Sequence, residues 1–135
     1  MKFITRDTDY ALRALCYIAK AKEQVVTVSE LVGSLRIPRP FLRKLLQLLN
    51  KKRILKSYKG KNGGFSLALP TNEIFLLDLM NIFQGPLELN ECYFKKKACP
   101  NKKSCLLRRK MSSIEKSVAW ELKTVNLASL LGRKG

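Results

Sequence analysis

Residues 36–69 contain the stretch that most narrows the fold: a proline-flanked amphipathic helix, then at once a strand, a glycine-rich turn and a second strand. The connection Arg36-Ile37-Pro38-Arg39-Pro40 must end one helix and can start another, because proline lacks the N–H of an interior turn yet suits a first turn. From Arg39 to Lys51, Phe41, Leu42, Leu45, Leu46 and Leu49 form one broad apolar face. Arg39, Arg43, Gln47 and Asn50, with Lys44 beside them, form the other. Residues 54–58 and 65–69 read as strands, the second alternating with period two. Between them, Lys59-Gly60-Lys61-Asn62-Gly63-Gly64 is rich in residues that accept positive φ.

Upstream, Thr27-Val28-Ser29-Glu30 fits a capping box, with Thr27 as N-cap and Glu30 reaching back. The short helix it opens carries Leu31, Val32 and Leu35 inward. Two helices joined by about four residues, the second basic on its outer face, make a helix-turn-helix, and the hairpin behind them makes a wing. An earlier helix runs from about Arg6 to Lys20, capped by Thr5 or Asp7, with Asp7 and Asp9 in its first turn, where the macrodipole favours carboxylates. Cys16, among apolar helix residues, reads as part of the core.

Beyond the hairpin, a helix is expected from Pro70 through Phe83, apolar nearly all round and ended by Gly85-Pro86. About 17 residues without clear periodicity follow. A long helix at about 103–124 then carries Leu107, Met111, Ile114, Val118 and Leu122 in one stripe, a pattern that suggests two-fold pairing, with packing on its own domain as the other outcome. Asn126 is placed to cap a last short helix. The expected architecture is mainly α with a small β-hairpin wing: one domain over 1–135, with 1–70 the winged helix-turn-helix DNA-binding part and 71–135 the cysteine loop and dimerisation helices.

Charge narrows the partner. The 135-residue chain carries 27 Lys and Arg against 10 Asp and Glu, a formal +17. Self-repulsion of that size opposes compaction, and a polyanion is the usual reason a chain tolerates it. Double-stranded DNA leads, ahead of an acidic membrane surface or an acidic protein partner. Arg39, Arg43, Lys44 and Gln47 are the candidates for base edges, and Lys56, Lys59, Lys61 and Asn62 for phosphates or the minor groove. No apolar run approaches the roughly 18 residues that span a bilayer, and the N-terminus lacks a signal-peptide core, so a cytoplasmic, non-membrane protein is expected. With no histidine and no evident nucleophile–base pair or acidic dyad, an enzyme is not expected.

Cys92, Cys99 and Cys105 are separated by six and five residues and surrounded by Lys95, Lys96, Lys97, Lys102 and Lys103. Nearby cations favour the thiolate and offset the negative charge of a thiolate-bound cluster. Three soft ligands suit zinc or an iron–sulfur cluster, although neither spacing is the Cys-x2-Cys of a zinc knuckle. Three unrelated thiols is the plain alternative.

Asp9-Tyr10-Ala11-Leu12-Arg13-Ala14-Leu15, the wing run Gly60-Lys61-Asn62-Gly63-Gly64-Phe65-Ser66-Leu67, three cysteines before a long helix, and the closing Val125-Asn126-Leu127-Ala128-Ser129-Leu130-Leu131 together resemble the BadM/Rrf family of bacterial transcription regulators. The resemblance covers nearly the whole chain. It implies a homodimer with a winged helix at each end, and a cluster held by three loop cysteines and a fourth ligand. IscR-like members use a histidine beyond the third cysteine, which this chain lacks. NsrR-like members use an aspartate at the start of the partner's first helix, and Asp9 matches that position. The resemblance therefore implies Cys92, Cys99 and Cys105 from one subunit and Asp9 from the other, holding a 4Fe-4S cluster, with 2Fe-2S as the alternative. The implied function is a repressor whose operator binding follows nitric oxide, redox or iron status. The rival is a metal-free or zinc-bound regulator whose thiols sense oxidation directly.

Overall fold

A computed structural model describes residues 3–22, 24–87 and 106–132. The order is α1 (Arg6–Lys20), α2 (Val28–Leu35), α3 (Arg39–Lys51), β1 (Leu55–Tyr58), β2 (Gly64–Leu67), a 3-10 turn (Thr71–Glu73), α4 (Leu76–Gln84), α5 (Leu106–Lys123) and α6 (Leu127–Leu130). The first helix has the expected bounds, and Thr5 rather than Asp7 caps it, its hydroxyl accepting from the Thr8 N–H.

α2 starts at Thr27 as expected, with the Glu30 N–H donating to the Thr27 hydroxyl at 3.1 Å. The reciprocal half of the predicted capping box is replaced. The Glu30 carboxylate instead accepts from the Tyr17 hydroxyl at 2.8 Å, and Ser34 donates to that same hydroxyl. A tertiary partner on α1 thus outcompetes the local backbone.

The end of α3 is a Schellman closure: Arg53 takes φ 63°, its N–H reaches the Asn50 carbonyl, and the Ile54 N–H reaches that of Leu49 at 2.9 Å. That left-handed step turns the chain into β1, which pairs antiparallel with β2 from Leu55 opposite Leu67 to Tyr58 opposite Gly64. The hairpin gains a third, one-residue strand. Val26 and Phe65 exchange both backbone hydrogen bonds, at 2.9 and 2.8 Å. Gly64 is what allows this, since a Cβ there would run into the Val26 carbonyl.

The expected helix over 70–83 is interrupted. Residues 71–73 form the 3-10 turn, Ile74 and Phe75 are extended, and α4 begins only at Leu76. The reason lies far along the chain. Phe75 bridges Asn126, the Leu127 N–H donates to the Ile74 carbonyl at 2.8 Å, and the Leu76 N–H donates to that of Val125 at 3.0 Å. Long-range backbone pairing here outweighs an unbroken helix.

One core unites the elements: Ala11, Leu15, Leu31, Leu42, Leu46, Leu49, Leu55 and Leu79 are buried together with Leu127. A smaller cluster of Leu76, Met80 and Leu122, flanked by Val118, seats the end of α5 on α4. The stripe of α5 therefore divides. Leu122 is buried within the protomer, whereas Leu107 and Ile114 are 65% and 40% exposed. No helix among the described residues is long and apolar enough to cross a membrane.

Candidate nucleic-acid interface

The apolar face of α3 fixes where its other face points. With Leu42, Leu45, Leu46 and Leu49 buried, helical geometry leaves Arg39, Arg43, Lys44, Gln47 and Asn50 outward, and all five are exposed. On the wing, Lys56, Lys59, Lys61 and Asn62 are exposed as well. Gly60, at φ 105°, supplies the turn that no side-chain-bearing residue readily adopts. An open groove runs between helix and wing, its wall including Thr27, Ser29, Arg43, Gln47, Tyr58 and Lys61.

This face is electrostatically unbalanced. Among the described residues, none of Arg39, Arg43, Lys44, Lys56, Lys59 and Lys61 pairs with a carboxylate. The first turn of α3 holds no acid, so Arg39 adds positive charge to the positive end of the helix dipole. Such an arrangement costs stability in isolation, and an anion lying along it would offset that cost.

Two contributors escaped the sequence reading. Ser29, the second residue of α2, accepts from Arg39 Nη2 at 3.0 Å. Tyr58, at the end of β1, is half exposed beside the groove, and its hydroxyl accepts from Ser66 at 3.3 Å. Nothing in the pattern marks Ser29 before its partner is known. Tyr58 could have been found as the outward residue nearest the cationic tip.

The expected cluster ligands fall on both sides of the described region. Cys92, Cys99 and Cys105 lie outside the described residues. Asp9 stands on the first turn of α1, half exposed, and its carboxylate accepts from Arg13 Nε at 3.1 Å. An exposed i,i+4 pair of this kind contributes only about 0.3–0.5 kcal/mol, so another donor role for Asp9 faces a small barrier. Among the described residues, no three Cys, Asp or Glu side chains converge. Cys16 is half-buried against the core, and burial pushes its thiol up despite the opposing pull of Lys20, as suits a packing residue.

The first turns of α1 touch α3. The Arg6 guanidinium stacks 4.5 Å from the Phe41 ring centre, and Tyr10 meets the same ring edge-on at 6.4 Å. Phe41 belongs to the first turn of α3, between Arg39 and Arg43. Behind these contacts, the Gln84 amide oxygen at the end of α4 accepts from the Thr5 N–H at 3.0 Å, the Thr8 hydroxyl at 2.8 Å and the Thr5 hydroxyl at 3.3 Å. Gln84 Nε2 donates to the Phe3 carbonyl at 2.9 Å. Asp9 thus sits between a clasp to α4 and a stack on α3.

Comparison with known proteins agrees with this geometry. The Rrf2 family model, described as iron-dependent transcriptional regulator, matches residues 4–133. A protein of Aquifex aeolicus (strain VF5) assigned as an HTH-type transcriptional regulator is 30% identical over 124 residues, covering 90% of this chain and 86% of its own. Among solved structures, CymR, the global cysteine regulator of B. subtilis, superposes with a TM-score of 0.76 at 21% identity, covering 100% of both chains. IscR of T. potens superposes with a TM-score of 0.74 at 21% identity, covering 98% of this chain and 87% of that one.

Proposed function

This chain belongs to the Rrf2 family of transcriptional regulators, and from that premise we propose that it is a homodimeric repressor whose hold on its operator is set by an iron–sulfur cluster. The observation that carries the reading is the unpaired cationic face shared by α3 and the wing. In this reading Arg39, Arg43, Lys44 and Gln47 face the major groove, and Lys56, Lys59, Lys61 and Asn62 follow phosphates or the minor groove. Residues 1–70 do the DNA binding. Residues 71–135 carry Cys92, Cys99 and Cys105 and, through the exposed part of the α5 stripe, the partner contact.

The donor set fits the cofactor: three thiols, no histidine, and an accessible carboxylate in Asp9. Cys92, Cys99 and Cys105 of one protomer and Asp9 of the other would hold a 4Fe-4S cluster. When bound, it supplies reactivity toward nitric oxide, oxidants or iron supply. The chain's own residues do the rest. Asp9 would exchange Arg13 for the partner's site, and a shift of α1 reaches α3 through Arg6, Tyr10 and Phe41.

Anaerobic purification tests both halves. The expected result is a brown protein with visible absorption that binds a duplex selected from a randomised library, and binds it differently after the cluster is removed. A colourless protein whose DNA binding follows thiol oxidation would establish the metal-free rival.

A further inference from the structure

Resting on the DNA-binding reading above, we propose that Ser29 is a positioning residue for DNA: it holds the Arg39 guanidinium over a backbone phosphate and so separates Arg39 from the base-reading residues of α3. The hydrogen bond from Arg39 Nη2 to Ser29 Oγ, 3.0 Å long, ties the first residue of α3 back to the second residue of α2. Both residues are exposed, so this bond is not needed to satisfy a buried group.

The chemistry of the tether carries the inference. A carboxylate at position 29 would fix the guanidinium and also neutralise it, as Asp9 does for Arg13. A hydroxyl fixes the guanidinium and leaves its charge intact. One of five N–H donors is used, and the others remain for a phosphate fork. The cost of ordering a long side chain is then met before DNA arrives, which is where preorganisation adds affinity.

Position assigns the target. Arg43 and Gln47 line the groove between helix and wing, and Ser29 stands on its wall. Arg39 itself is not among the residues that line this groove, and its guanidinium is tied to Ser29 at the start of α2. Contacts that set register without reading sequence belong to phosphates, and Arg39 has that placement.

The test uses the full-length protein, purified anaerobically, with two 30-base-pair duplexes: one selected by the wild-type protein from a randomised library, and one of mixed sequence. Binding is followed by fluorescence anisotropy across a potassium chloride series. Ser29→Ala is expected to weaken both duplexes by the same factor, about three- to tenfold, with an unchanged salt slope because the charge remains. Arg39→Gln should lower the slope by about one. The double variant should bind no worse than Arg39→Gln alone, and Ser29→Thr should restore wild-type affinity. A purely structural role for Ser29 predicts instead that its loss adds to that of Arg39. Additive losses, or a silent Ser29→Ala in a protein that binds DNA, overturn the proposal. A loss confined to the selected duplex also overturns it, by making Arg39 a base reader. Wild-type protein that selects no duplex from the library and binds none at low salt overturns the DNA-binding reading and this proposal with it.

Discussion

Replacing Gln84 by leucine keeps much of its bulk and removes every polar contact it makes. Its amide oxygen takes three hydrogen bonds from Thr5 and Thr8, and its nitrogen gives one to Phe3. Thr8 is 0% exposed, the sole buried polar side chain among the described residues, so its hydroxyl cannot turn to water. It retains only a 3.2 Å contact with the Thr5 hydroxyl. A buried donor left short of its acceptor costs about 1–3 kcal/mol. Thr8→Val removes donor and desolvation cost together while Gln84 keeps its two bonds from Thr5, so about 0.5–1.5 kcal/mol is expected. The double variant should cost less than the sum of the two, because the bond from Thr8 to Gln84 is lost in each single variant and counted twice in the sum. Urea melts at one fixed protomer concentration measure all three, since dimer dissociation would otherwise enter the midpoint. Gln84→Leu and Thr8→Val each within about 0.3 kcal/mol of wild type, a spread typical of independent surface changes, would refute the clasp between α4 and α1.

Four further outcomes are expected. Arg53→Gly should stabilise the fold by about 0.5–1 kcal/mol, since the left-handed strain it relieves exceeds the added unfolded-state entropy, and a thermal melt will register the gain. Gly64→Ala should cost about 1–3 kcal/mol by forcing Val26 off Phe65, with loss of slow hydrogen exchange at both amides. Ile114→Glu, at a position 40% exposed in the protomer, should leave the fold of one chain near wild type yet yield monomers in sedimentation if α5 is the subunit seam. Cys16 should alkylate more slowly than a free thiol. Its folded pKa is raised, so its share of stability is full below the unfolded thiol's pKa and declines as pH rises through the folded value, a loss that Cys16→Ala abolishes in melts at increasing pH.

Local signals made the first half of the chain legible. The bounds of α1 and α3 follow from caps, prolines and 3.6-residue periodicity, all of which operate within a few neighbouring residues. The glycine run of the wing encodes a turn directly. What stayed hidden depends on partners remote in sequence. Glu30 carries every mark of a capping-box residue, yet Tyr17, thirteen residues earlier, takes its carboxylate. Ile74 and Phe75 look helical by composition and are held extended by residues 125–127, remote in sequence. Ser29 is one serine among several until Arg39 folds back on it. The cationic residues were legible as a face because helical spacing groups them, whereas the cysteine cluster was legible only as a constellation of residue types.

The placement of small residues on α1 bears on how a signal could travel. Ala11 and Ala14 are fully buried, and Leu15 beside them is as well, so the middle of the helix lies tight against its neighbours. A close-packed interior cannot absorb displacement by side-chain rearrangement, and a helix seated this way moves as one body or not at all. Phe41 is different. It is half-buried, gripped from outside by Arg6 and Tyr10 through contacts worth about 0.5–1 kcal/mol each, and joined to α3 at its first turn. The strong contacts therefore hold α1 to the core, and the weak ones hold it to the start of α3. An event at Asp9 acts one residue from Tyr10 and three from Arg6. It would change the weak set first, altering the aim of Arg39 and Arg43 before the core is disturbed. A free-energy change of about 1–2 kcal/mol at Asp9 would be comparable to those contacts and lies in the range in which allosteric couplings operate.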